Sequence, residues 1–178
     1  TIQAVVLDEK LKFLNEKNNN RLENAKLYNS LLSNISQVKT PVINSNSVPV
    51  FHLYVIMIEN RDELKEYLLK NGIECLIHYP ISIAETDAFK QFNLKNIENC
   101  IENSKKILSL PMYPELQEDE IKYVCKKITE FYKDYKIYKK IVLDPIKTEG
   151  KPGELVNINL ELINKKLNLN FKPNHSFY

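Results

Sequence analysis

Apolar residues recur with helical spacing along the first stretch of the chain. Leu7, Leu11 and Leu14 fall at i, i+4 and i+7, and Leu22, Ala25, Tyr28 and Leu32 continue the stripe. Residues 2–33 therefore read as helix, in one bent piece or two. The polar run from Lys17 to Arg21 interrupts the stripe and predicts the bend there. Residues 34–47, with Pro41 and several Asn and Ser, predict a connecting loop or irregular strand. Residues 48–58 are almost continuously apolar and rich in β-branched and aromatic side chains, the pattern of a strand covered on both faces. Asn60 then offers a helix N-cap, Leu64, Tyr67 and Leu68 share one face of a helix over 61–71, and Gly72 suits the position just past its end. Residues 73–78 return as a second strand. This strand–helix–strand unit is the strongest local pattern in the chain.

Beyond Pro80 the pattern predicts an irregular stretch and a short helix near residues 85–92. Ile97, Cys100, Ile101, Ile107 and Leu108 describe a further amphipathic helix. Residues 110–116, with Pro111 and Pro114, must be extended. The stripe Ile121, Val124, Cys125, Ile128, Phe131 and Tyr132 marks a helix over 118–135. After Lys136 the character changes: residues 137–143 read as a strand, 144–153 as a turn-rich linker and 157–167 as a short helix.

Composition narrows the function classes. The chain has 178 residues, 43% of them hydrophobic and 27% charged, enough for one globular domain with an appendage. Its formal net charge of +2 is mixed along the chain, so no basic face for nucleic acid or an anionic membrane is written into it. No apolar run approaches the roughly 20 residues that span a bilayer. The amino terminus lacks a signal-peptide layout and starts at Thr1, not Met, which fits a piece of a longer sequence. Cys75, Cys100 and Cys125 are far apart, without the close ligand pairs of a structural zinc site, and read as reduced thiols of a cytosolic protein. Only Gly72, Gly150 and Gly153 occur. Loops that wrap phosphates need glycine for close backbone approach. If the function involves a phosphorylated cofactor, most of its site is expected elsewhere.

Several short motifs follow one another at telling intervals. They are His52-Leu53-Tyr54-Val55-Ile56, Asn60-Arg61-Asp62-Glu63-Leu64, Asn71-Gly72-Ile73, His78-Tyr79-Pro80 and Leu110-Pro111-Met112-Tyr113-Pro114-Glu115-Leu116. The series resembles the small carboxy-terminal domain of DegT/StrS-type aminotransferases, which act on nucleotide-linked keto-sugars. Ile2-Gln3-Ala4, with Arg21, Ala25 and Tyr28, resembles the long helix joining the two domains of that family. The implied fold class is α/β: a small mixed or antiparallel sheet flanked by helices, like the small domain of fold-type I pyridoxal-phosphate enzymes, with a long N-terminal helix. Residues 1–135 would form that domain, 1–33 being its interdomain helix, and 136–178 a carboxy-terminal appendage.

The resemblance also implies a cofactor, partners and a division of labour. Pyridoxal phosphate would be bound mainly outside this chain, its Schiff-base lysine lying upstream of Thr1, so no catalytic residue is expected here. The enzyme would move an amino group from glutamate to a nucleotide-linked keto-sugar, for cell-surface polysaccharide or deoxyaminosugar biosynthesis, as a cytoplasmic homodimer with active sites at the subunit interface. Lysines such as Lys65 and Lys90 read as solvated charges on helix faces. His78 and Tyr79, at a strand end before an irregular segment, are the expected substrate-binding pair, an imidazole and a hydroxyl able to bond sugar or phosphate oxygens. Many relatives carry a second histidine a few residues on, where this chain has Ala84. His52 is expected buried and hydrogen-bonded, Arg61 solvent-facing, and Met112 and Tyr113 part of the core and hinge.

The tail adds one fainter likeness. Residues 151–178, with Pro152-Gly153-Glu154 and Asn170-Phe171-Lys172-Pro173, weakly resemble the end of NAD-dependent sugar epimerases and dehydratases, but the chain has no G-x-G-x-x-G motif. A competing reading is a non-catalytic dimerisation or binding module derived from the aminotransferase family. The first helix favours it, because its apolar stripe needs a partner.

Overall fold

The computed structural model describes residues 1–92 and 94–143, with backbone alone for 136–143. The predicted linker, the short helix over 157–167 and the epimerase-like tail lie outside the described residues. The first helical stretch is two helices, α1 (Ile2–Leu11) and α2 (Leu14–Leu32). They part at Lys12 and Phe13, not at the polar run 17–21, which continues inside α2. Polar residues do not break a helix when solvent takes their side chains, and residues 19 and 20 of that run are exposed.

Two strands form the sheet. β1 (Tyr54–Met57) pairs antiparallel with β2 (Ile107–Leu110), Tyr54 standing opposite Leu110 and Met57 opposite Ile107. Single antiparallel bridges widen the layer at both edges, Lys39 to Met57 beside β1 and Leu76 to Ser109 beside β2. The order across is thus residue 39, β1, β2, residue 76. The helix following β1, α3 (Arg61–Lys70), carries the chain over to the residue 76 edge. Of the predicted strand–helix–strand unit, β1 and α3 are present, but residues 73–78, read as its second strand, make only the single bridge at Leu76, and β2 lies between that arm and β1.

Alternation along the arms sorts the side chains. Tyr54 and Ile56 of β1, Leu108 and Leu110 of β2 and Cys75 of the third arm are buried, while Leu76 on the third arm's other face is exposed. Three helices cover the buried face. Ala25, Tyr28 and Leu32 come from α2, Leu64 and Leu68 from α3, and Ile121, Val124, Cys125, Ile128, Phe131 and Tyr132 from α6 (Glu118–Leu143). The Tyr28 and Tyr54 rings stack at 4.7 Å, joining α2 to the sheet. Their hydroxyls donate to the Pro111 carbonyl at 3.0 Å and to Asn29 Oδ1 at 2.5 Å, so neither ring leaves a polar atom stranded.

The end of α3 meets its prediction closely. Gly72 has φ +76, its N–H donates to the Leu69 carbonyl, and the Ile73 N–H reaches back to Leu68. This is the Schellman arrangement, sealed by the buried side chains of Leu68 and Ile73. Asn60 is the N-cap residue of α3, but its side chain donates to the Tyr135 hydroxyl at 3.0 Å in place of capping the helix.

Four expectations change in extent or type. The strand predicted over 48–58 is confined to Tyr54–Met57, because Phe51 takes φ +47 and turns its ring into the core, leaving Val48 and Val50 exposed. Ile107 and Leu108, read as helix, begin β2, and the helix before them is α5 (Glu98–Lys106). The short helix near 85–92 is a 3₁₀ turn over Ile83–Glu85 followed by the one-turn helix α4 (Asp87–Lys90). Residues 137–143, read as a strand, continue α6.

Among the described residues, no helix is long and apolar enough to cross a membrane. The three cysteines are free, Cys100 exposed and Cys75 and Cys125 buried. Burial pushes both buried thiols from an ordinary 9.0 up to about 12, and burial likewise raises the Tyr28, Tyr54 and Tyr132 phenols. Each group is neutral when protonated, and the fold favours that neutral form, so its contribution is complete below the unfolded pKa and is lost above it. Denaturation midpoints followed against pH are expected to fall as pH rises from about 9 towards 12.

Candidate functional site

The arm of residues 73–78 ends in His78, followed by Tyr79 and Pro80. Backbone bonds hold the arm to β2, Ser109 N–H donating to the Leu76 carbonyl at 2.8 Å and Leu76 N–H to the Ser109 carbonyl at 3.2 Å. Two residues on, the His78 ring lies with Nδ1 2.9 Å from Ser109 Oγ. His78 is half-buried, whereas Ser109 is only 4% exposed. Tyr79 is 72% exposed, and its ring meets the His78 ring edge-on with centroids 5.8 Å apart. The peptide bond joining them is cis. The structure thus brings the two predicted residues together at one strand end, one anchored to the sheet and the other open to solvent.

The irregular segment after Pro80 is braced locally. Ser82 Oγ accepts from the Ala84 N–H and Glu85 Oε2 accepts from the Ser82 N–H, both at 3.1 Å. Ala84 sits inside this 3₁₀ turn, close in the chain to His78. Ser109 and Ser82 were not legible as site residues. The signal for Ser109 is its place in the Ser-Leu-Pro run that opens the double-proline motif, but its partner is 31 residues away.

A wide groove of about 760 Å³ lies nearby, with Glu74, Leu76, Tyr113, Glu120 and Tyr123 among its walls. His78 and Tyr79 do not line it, though Leu76 is shared with their arm. Tyr113 is 42% exposed on its rim, within 3.4 Å of the Glu120 carboxylate. Met112 alone of the Met112–Tyr113 pair packs against the core.

Two other expectations change. His52 is exposed and precedes β1, instead of being buried within a strand. Arg61 does not face solvent: its side chain is 13% exposed. Its Nη1 donates at 2.8 Å to the Ser104 carbonyl, near the negative end of α5 (Glu98–Lys106), and its Nε bonds Asp62.

The described residues do not fit a cradle for pyridoxal phosphate. No described lysine is buried, and Lys26, Lys70, Lys90 and Lys122 pair with carboxylates on exposed helix faces. Gly72, the one glycine among the described residues, closes a helix and does not open a phosphate loop.

The model of the DegT/DnrJ/EryC1/StrS aminotransferase family matches residues 1–129. The chain belongs to this family. It is similar to the pleiotropic regulatory protein of Geobacillus stearothermophilus, 33% identical over 138 residues that span 75% of this chain and 37% of that protein. It is also similar to dTDP-3-amino-3,4,6-trideoxy-alpha-D-glucose transaminase of Streptomyces venezuelae, 30% identical across 73% of this chain and 35% of the relative. Among solved structures, S. venezuelae DesV in complex with a ketimine intermediate superposes with a TM-score of 0.68 at 30% identity, over 72% of this chain and 35% of that one. An aminotransferase of the same family from Brucella abortus gives 0.66 at 33% identity, over 73% of this chain and 35% of that one. The chain spans little more than a third of the length of these relatives. The α/β architecture expected from the motif series is thus the architecture of the family.

Removing the Arg61 guanidinium should be felt as structure and not as binding. Arg61→Ala is expected to lower stability by about 1.5–3 kcal/mol, the range for a hydrogen bond from a charged group. Denaturant titration would read that loss, and the NMR signals of His78 should keep their positions.

Proposed function

We propose that this chain supplies the sugar-binding part of an aminotransferase that moves an amino group from glutamate to a nucleotide-linked keto-sugar. The observation that carries the reading is the family match across residues 1–129, which includes His78 and Tyr79. Aminotransferases of this family depend on pyridoxal phosphate. When bound, that group acts as the electron sink for amino transfer. In this reading it is held by a cofactor-bearing domain, and residues 1–135 act as the small domain that closes over the substrate.

His78 and Tyr79 are the proposed substrate contacts. An imidazole N–H and a phenol O–H suit the oxygens of a sugar diphosphate, and the contact with Ser109 holds the imidazole in place. Named relatives point to the same ligand class, among them the UDP-2-acetamido-2-deoxy-3-oxo-D-glucuronate aminotransferase of Pseudomonas aeruginosa. Joined to a cofactor-bearing domain, the chain is expected to generate 2-oxoglutarate from glutamate when a dTDP- or UDP-linked keto-sugar is present. Replacing His78 by Ala should raise KM for the sugar nucleotide about tenfold, the worth of roughly one hydrogen bond. Unchanged KM values for both His78→Ala and Tyr79→Phe would remove the pair from the site.

A second reading is a dimerisation or binding module without catalysis, and α1 favours it. None of its residues is buried, and Ile2, Val5, Leu7 and Leu11 are 64–85% exposed. An apolar helix of this kind is a ready interface. Sedimentation is expected to show a homodimer that Leu7→Asp converts to monomer. A wild-type chain that sediments as a monomer at all concentrations speaks against assembly through α1.

A further inference from the structure

We propose that Ser109 is a positioning residue whose hydroxyl fixes His78 in the tautomer protonated at Nε2. His78 then meets its ligand as a hydrogen-bond donor and not as a base. The ligand half of this statement rests on the sugar-nucleotide reading above, whereas the tautomer half stands on geometry alone.

Ser109 occupies β2, which lies between β1 and the bridged arm at Leu76. Its backbone is bonded to Leu76 on one side, and it stands opposite Val55 of β1 on the other. Its Cα and Cβ are therefore fixed, χ1 places Oγ beside the imidazole, and only the rotation of the hydroxyl proton is left to choose. Ser109 is 4% exposed, and Oγ has one hydrogen-bond partner among the described residues, His78 Nδ1 at 2.9 Å. A buried hydroxyl proton requires an acceptor. Nδ1 is that acceptor, so the O–H donates to it and Nδ1 carries no proton of its own. A neutral imidazole accepting at Nδ1 bears its hydrogen on Nε2.

The chemical consequence is directional. An Nε2–H donates to phosphoryl, hydroxyl or keto oxygens, all of which a nucleotide-linked keto-sugar presents. Abstracting a proton would need a bare Nε2, and that tautomer would cost the Ser109 hydroxyl its acceptor. Ser109 touches no ligand in this scheme. It acts through the ring of His78.

Long-range proton–nitrogen correlation spectra of the imidazoles in the full chain test the assignment, recorded about two units above the ordinary histidine pKa. The wild-type His78 should show an unprotonated Nδ1 and a protonated Nε2. Ser109→Ala should shift both nitrogens towards the averaged positions of an unconstrained ring, and Ser109→Thr, which restores a hydroxyl, should return them. A protonated Nδ1 in the wild type overturns the proposal without recourse to any variant. So does a folded Ser109→Ala chain with unmoved His78 nitrogens. Adding dTDP-glucose as probe separates the two halves. A shift confined to the His78 Nε2–H supports donation to the ligand, and a correct tautomer that ignores the probe sinks the sugar-nucleotide reading while leaving Ser109 in its role.

Discussion

The strand end that carries His78 and Tyr79 is held to the molecule by the paired backbone hydrogen bonds between Leu76 and Ser109. That pairing is secure because of what lies beneath it. Leu108 and Leu110, the neighbours of Ser109 in β2, are driven into the core under α2, α3 and α6, so β2 cannot slide without exposing both. The third arm inherits this fixed register through a single bridge. At the other edge Lys39 is bridged to Met57 in the same way. A sheet with one true ladder thus locates two outlying segments, and the candidate site sits on one of them.

What could be read in advance and what could not follows from the range of the interactions involved. Helices α2, α3 and α6 announced themselves because their apolar spacing is local, and Gly72 because only a residue tolerant of positive φ ends a helix in that way. The family motifs fixed the fold class. β2 was hidden because Ile97, Ile101, Ser104 and Leu108 keep helical spacing straight through the point where the backbone becomes extended. Only its pairing with β1 decides the matter. Phe51 misled in the opposite sense: a hydrophobic run suited to a strand is broken by one residue that reaches the core through a left-handed turn. In the candidate site, His78 and Tyr79 were proposed from the motif they belong to. Ser109 was not, since its contact with His78 spans 31 positions and exists only once β2 has entered the sheet.

The same physics shapes the proposed division of labour. No lysine whose side chain is described is buried and the one described glycine serves a helix end, so the proposed reading assigns chemistry that needs a buried amine and a phosphate loop to another unit. This part contributes rigidity: a packed face under the sheet and a braced turn beyond Pro80. α1 stands apart from that economy, an apolar helix with nothing of its own to cover.

The join between α5 and β2 leaves this chain no slack at that point. The last helical residue, Lys106, is followed directly by the first strand residue, Ile107, whose N–H still caps the helix at the Asn103 carbonyl. No spare residue separates the two. Inserting or deleting one amino acid there would reverse the facing of every β2 side chain, sending Ser109 into the oily interior and a leucine out beneath the imidazole. An added residue is expected to be borne more easily beside residues 91, 92 and 94–96, which are exposed and outside helix and strand.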